Sequence, residues 1–159
     1  MAVAAVYQCD WVYGGVQPHH VILMPGGARL IDWSWGWHTS MPPSSAYNGG
    51  MVHLMAPELM GQVQWPVQVS KSDEAWSLAA SIWWSTSNQW PRDYRALGID
   101  AVTFTAATLR EVLVHKPAPL GRIPRWPQLE QVLRTVLDAP ASGRPGALDL
   151  AQRLREITP

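Results

Sequence analysis

Between residues 71 and 87 the chain carries Ala75, Trp76, Leu78, Ala79, Ala80, Ile82, Trp83 and Trp84. A helix with that spacing is apolar nearly all round, and such a helix is normally buried on every side. Ser70, with Asp73 three residues on, supplies a helix-start signature. This helix is therefore predicted to be the centre of the fold, with the other elements packed around it.

Composition narrows what that fold can serve. With 159 residues the chain fits one domain, 1–159, large enough for a proper core. Twelve basic and twelve acidic side chains balance, so no electrostatic argument points to nucleic acid or an anionic membrane as partner. No run of roughly 18 apolar residues is present, so no membrane span is expected. The start, Met-Ala-Val-Ala-Ala-Val, lacks the basic n-region of a signal peptide. Cys9 is the only cysteine, which excludes an intramolecular disulfide and fits a reducing cytoplasm. It is expected as a small buried residue at a helix end. Ten tryptophans are many for this length; most are expected in the core, because Trp is usually mostly buried.

The remaining elements follow from local pattern. Residues 2–8 read as the last turns of a short apolar helix. Val21–Met24 and Arg29–Ile31 flank Pro25-Gly26-Gly27 and read as a β-hairpin. Residues 33–52 are rich in Gly, Pro, Ser and Asn and read as a long loop. Trp33, Trp35 and Trp37 alternate within it, so an extended backbone there would put all three on one side. Residues 88–103 read as loop and short turns, and 105–114 as a helix with Leu109, Val112 and Leu113 inward. Pro127 suits the first turn of a helix in which Leu129, Val132, Leu133, Val136 and Leu137 keep a 3.6-residue spacing. A last amphipathic helix carries Leu150, Ala151, Leu154 and Ile157. The expected class is mainly α, with one small hairpin near the start.

That order of elements resembles the C-terminal lobe of a protein kinase of the bacterial or phage Ser/Thr type. Tyr13-Gly14-Gly15-Val16-Gln17-Pro18-His19-His20-Val21-Ile22-Leu23 lies without gaps on the family's catalytic loop, His-Gly-Asp-x-x-Pro-His-Asn-Ile-Leu. Leu30-Ile31-Asp32-Trp33-Ser34 lies on the strand that carries Asp-Phe-Gly, and Met55-Ala56-Pro57-Glu58 on the motif closing the activation segment. Leu137-Asp138-Ala139-Pro140 with Arg144-Pro145 resembles the family's penultimate linker, whose Arg pairs with the closing Glu. The resemblance thus implies an Arg144–Glu58 pair. It covers nearly the whole chain and implies a C-lobe with the nucleotide-binding N-lobe absent.

The departures fall on the chemistry. Phosphoryl transfer needs a base near the acceptor hydroxyl, two metal ligands, a Lys on the phosphates and a Gly-rich cover. At the position of the base stands Gly15, and the leading His is Tyr13. The metal-binding Asn is His20, a nitrogen ligand poorly matched to magnesium. Asp32 keeps the metal-binding Asp position but is followed by Trp33-Ser34. No Lys precedes Lys71. On the central helix Glu74 has the spacing to Leu78 expected of the family's acidic residue, and Asp73 is one residue early. Loss of a base alone lowers the rate by typically ~10²–10⁴-fold.

These residues imply a pseudokinase-like C-lobe acting as an interaction, scaffold or regulatory module. Its partner would be a protein or a second copy, held over the face an N-lobe would cover, with Trp33, Trp35 and Trp37 as the surface. ATP and magnesium are not expected to bind. Two alternatives stand beside it. One is an enzyme reusing the old cleft around the degenerate positions Tyr13, Gly15, Gln17 and His20, with Asp32, His19, His20 and Tyr13 as acid–base or ligand groups; in its metal-assisted form His19, His20 and Asp32 hold a transition metal, with one more ligand from Tyr13 or His38. The other is a half-kinase completed in trans by a separate N-lobe. For Asp32 the competing role is structural, accepting backbone hydrogen bonds within its loop.

Overall fold

A computed structural model describes residues 2–40, 50–62 and 67–157. The apolar stretch forms α3 (Lys71–Ser87). Its start carries a full capping box: the Ser70 hydroxyl accepts from the Asp73 amide, and the Asp73 carboxylate accepts from the Ser70 amide at 2.8 Å. Its end is set by Asn88 in the left-handed region at φ 55°, a conformation Asn tolerates better than most residues. Trp76, Ala79, Ala80 and Trp83 are removed from solvent almost completely. Burying a Trp takes roughly 200 Å² out of water, which stabilises the fold by about 5 kcal/mol before entropy is charged. The centre of the core is where the sequence puts it.

Three longer helices follow. Helix α4 (Ala106–His115) is capped by Thr105 and turns Leu109 and Leu113 inward, with Val112 half-buried. Helix α5 (Pro127–Leu137) opens on Pro127, where a missing N–H removes no hydrogen bond. It lays Leu129, Leu133 and Val136 against α3. Helix α6 (Ala147–Ile157) then packs on α5 through Leu150 and Ala151.

At the other end, α1 (Ala2–Gln8) packs against β1 (Trp11–Val12) and also touches α6. Strand β1 pairs antiparallel with β4 (Trp37–His38), a two-residue ladder the sequence did not signal. Strands β2 (Val21–Met24) and β3 (Gly27–Leu30) form the expected hairpin, Val21 opposite Leu30 and Met24 opposite Gly27. A one-turn helix α2 (Pro57–Met60) precedes α3. Residues 41–49 of the expected 33–52 loop lie outside the described residues.

Two expectations fail here. Cys9 is exposed. Helix α1 stops at Gln8, Asp10 adopts φ 57°, and the turn closed by Asp10 N–H on the Tyr7 carbonyl (3.2 Å) carries Cys9 outward. The nine described tryptophans divide: Trp76 and Trp83 are core, five are half-buried, and Trp11 and Trp33 are exposed.

Candidate functional site

The loop of residues 13–17 is fixed from below by α3. Glu74, buried in the first turn of that helix, accepts the Gly14 amide at 2.8 Å and the Tyr13 amide at 3.2 Å. Gly14 has φ 76°, and a Cβ there would stand 2.6 Å from the Trp35 carbonyl oxygen; only glycine fits both demands. Tyr13 is buried. Its hydroxyl donates to the Ile31 carbonyl, and its ring meets Trp33 edge-on with centroids 4.9 Å apart. Burial, helped by the carboxylates of Asp32 and Glu74, pushes that phenol up to about 12. A short turn (Pro18–His20) then leads into β2.

Gly15, Gln17, His20 and Asp32 line one small cleft of about 170 Å³, with Gly14 and Trp35 on its walls. A Cβ on Gly15 would make only ordinary contacts, 3.5 Å from His20 Nδ1 and 3.6 Å from the Asp32 carbonyl. The missing side chain is therefore not a steric demand of the fold. His20 Nδ1 lies 2.9 Å from the Gly15 carbonyl oxygen. A carbonyl can only accept, so Nδ1 carries a hydrogen, and in the neutral ring Nε2 is left as the acceptor. Around that Nε2 stand the Gln17 amide nitrogen at 2.6 Å and Asp32 Oδ2 at 3.5 Å.

Asp32 is exposed and sits at φ 60°. It accepts from the Ser34 hydroxyl and from the Ser34 amide at 3.3 Å. Those bonds, the hydroxyl's first and the amide's second, hold its carboxyl below the usual range. The local hydrogen bonding read from sequence is therefore present. As metal ligands His20 and Asp32 do come together. His19 turns away to lie against Trp84, centroids 5.4 Å apart, and His38 meets Trp11 edge-on. Among the described residues, no group of three His, Cys, Asp or Glu side chains gathers.

The tryptophan stripe does not form. The backbone is extended only at Trp37; a turn between Trp33 and Gly36, closed by a 3.0 Å bond from the Gly36 amide to the Trp33 carbonyl, breaks the two-residue period. Trp33 is exposed, Trp35 backs onto Gly14, and Trp37 packs on the core with its indole N–H on the Val69 carbonyl at 3.0 Å. A different apolar surface is open instead: a pocket between Trp11, Trp33, Cys9 and the outer side of α1, together with Ile22, Leu23 and Met24 on the hairpin.

Away from the cleft, Arg144 and Glu58 pair in a two-pronged contact, with the second prong at 3.1 Å and the guanidinium almost fully buried. Arg144 also donates to the Ser72 carbonyl at 2.9 Å. Burial pushes Glu58 up, but the hydrogen bond from Arg144, the one from Asp73, a backbone bond and the Arg144 charge together hold the carboxyl below its ordinary value. Two residues with no role assigned from sequence prove important. Arg92, buried, lies over the Trp76 ring at 4.3 Å and donates to the carbonyls of Val52, His53 and Met55. His53 stacks on Trp90 and faces the Tyr94 hydroxyl at 2.9 Å; burial lowers it to about 4. Neither has a spacing signature, because their partners are backbone carbonyls and rings distant in sequence.

No family model and no curated protein matches this chain. Among solved structures it is similar to a granulovirus kinase, PK-1 of Cydia pomonella granulovirus, with a TM-score of 0.63 at 14% identity. The match covers 94% of this chain and 51% of the viral kinase, so the chain spans about half of that protein's length. The fold is kinase-like and mainly helical.

Proposed function

We propose that this chain is a catalytically impaired, kinase-like module that works by binding another protein or a second copy of itself. One observation carries the reading. At the position the kinase resemblance assigns to the catalytic base, the cleft offers the carbonyl of Gly15, already taken by His20. A carbonyl has no proton-accepting strength near neutrality, so nothing there can draw a proton from an acceptor hydroxyl. The Asp32 carboxylate is bonded back to its own loop. The cleft volume of about 170 Å³ is also below the roughly 300–1,000 Å³ of ordinary ligand pockets. Meanwhile the residues that shape the backbone keep their partners: Gly14 on Glu74, and Glu58 on Arg144.

The binding surface in this reading is the apolar ground around Trp11, Trp33 and the hairpin tip, where Leu23 is 83% exposed. Exposed patches of this kind mark association sites. The test has two arms. Calorimetry with ATP and magnesium should show no tight binding; tight binding would overturn the impaired reading. Native mass and pull-down with Trp11→Ser/Trp33→Ser should show loss of the partner or of the dimer; unchanged association would remove this surface from consideration.

A second reading rests on the apposition of His20 and Asp32. With Nε2 as a lone-pair donor 3.5 Å from a carboxylate, the cleft offers a nitrogen and an oxygen ligand to a transition metal. Stoichiometric zinc, nickel or cobalt retained after dialysis, and lost in His20→Ala, would favour it.

A further inference from the structure

The register of the hairpin assigns its backbone hydrogen bonds one by one. The Ile31 amide donates to the His20 carbonyl at 3.0 Å, which places these two opposite each other as a bonded pair. In an antiparallel ladder such pairs alternate with pairs that do not bond each other. Ile22–Arg29 and Met24–Gly27 are therefore the bonded pairs, and Val21–Leu30 and Leu23–Ala28 the others. The amides and carbonyls of Val21 and Leu23 point away from β3, across the outer edge of β2. The Val21 amide is spent on the Pro18 carbonyl. Leu23 keeps both its N–H and its C=O for a partner outside the ribbon, and its side chain is exposed. Among the described residues this sheet holds β2 and β3 alone, with β3 set beside α1.

We propose that the outer edge of β2 is a dimer interface, on which β2 of a second copy pairs antiparallel. The Leu23 N–H of each copy donates to the Leu23 carbonyl of the other, and one two-fold axis generates both bonds. This contact presupposes the binding-module reading and narrows its partner to the chain itself.

The length of the edge selects that occupant. On one side of Leu23 the strand runs into Pro25, which has no N–H to offer. On the other stands Val21, with its N–H already used. A long extended segment would gain nothing from its residues beyond Leu23. Strand β2 has the same two ends, so under a two-fold axis both copies stop together. Its sequence, Val-Ile-Leu-Met, carries none of the Lys, Pro or bulges that blunt natural sheet edges. Ile22 and Met24, both exposed, meet their counterparts on one face of the joined sheet. A lone two-stranded ribbon is marginal, and pairing makes it four-stranded. Charge does not oppose the contact, because the net charge is zero and equal copies do not repel at a distance. Arg29 of the two copies would stand three strand spacings apart, roughly 14 Å. That exceeds the Debye length of about 8 Å at physiological salt.

The experiment combines sedimentation equilibrium of the intact chain, from about 1 μM to about 1 mM, with amide hydrogen exchange. The mass should rise from monomer to dimer with concentration. The Leu23 amide should gain protection in step, while the Ala28 amide, on the other edge, keeps one rate. Leu23→Pro removes one outward N–H from each copy and no bond inside the ribbon. It should weaken the dimer about 30-fold, the worth of two hydrogen bonds. A monomer at every concentration overturns the proposal. So does a dimer in which Leu23 exchanges at its monomer rate, or one that survives Leu23→Pro undiminished. Protection of Leu23 only when another protein is added also overturns it, yet leaves the binding-module reading standing. Tight ATP–magnesium binding would sink that reading and leave the Leu23 exchange result as it is. If Leu23→Pro does not fold, exchange in the wild-type chain decides alone.

Discussion

Two carboxylates of this molecule each face one basic side chain, and the contacts have little else in common. Glu58 meets Arg144 through both oxygens, the guanidinium is 1% exposed, and a backbone carbonyl takes a further guanidinium proton. Asp32 lies 3.5 Å from His20, is 44% exposed on its side chain, and is bonded more closely to Ser34 than to the imidazole. The first contact joins α2 to the segment before α6 across 86 residues. The second connects neighbouring loops that backbone bonds already hold, including Ile31 N–H on the His20 carbonyl at 3.0 Å. Buried pairs are costly to break, whereas exposed pairs contribute little. The Arg144–Glu58 contact thus braces the fold, and the His20–Asp32 contact is free to vary without loss of it.

The comparison breaks most decisively at Arg144. Arg144→Ala should leave Glu58 beside Asp73 without a cation and destabilise the fold by about 3–5 kcal/mol in urea unfolding; a loss under about 1 kcal/mol would put Glu58 in the same class as Asp32. Next come the two glycines of the loop. Gly14→Ala forces a positive φ and a 2.6 Å approach to Trp35, and should cost about 2–3 kcal/mol. Gly15→Ala meets ordinary contacts and should stay within about 0.5 kcal/mol, so equal effects would mean the loop is not pinned at Gly14. Ser70→Ala removes the cap of α3 and should cost about 1 kcal/mol by the same measurement. The smallest effects belong to the cleft: His20→Ala and Asp32→Asn should each shift stability by no more than about 0.5 kcal/mol. A larger loss at either would show that the cleft is part of the frame.

What could be read from the sequence follows the same division. Helix α3 was legible because nine of its residues are buried around the whole helix, which no surface helix tolerates. Helix α5 was legible because its apolar residues keep one period. The Arg144–Glu58 pair came from motif resemblance, since nothing local joins positions so far apart. The Trp33/Trp35/Trp37 surface failed because periodicity presumes regular backbone, and Asp32 at φ 60° followed by the turn to Gly36 is not regular. Cys9 failed for a related reason: one left-handed residue at Asp10 decides which side of the chain end faces solvent. Of the cleft, the identities at positions 15, 20 and 32 were visible. The tautomer of His20 was not, because it depends on a carbonyl brought near by folding.

The bonds from Glu74 to Tyr13 and Gly14 span 61 and 60 residues. A chain leaves the ribosome from its first residue, at roughly 5–20 residues per second. For several seconds of synthesis the segment from α1 through the hairpin has been made, yet the carboxyl that holds its loop does not exist. Hairpins form in microseconds, so β2 and β3 can pair at once while the loop beside them stays unfastened. During that interval Trp11, Ile22, Leu23 and Trp33 have no finished protein behind them. The cleft end, the last part that chemistry requires to be rigid, is also the first to wait.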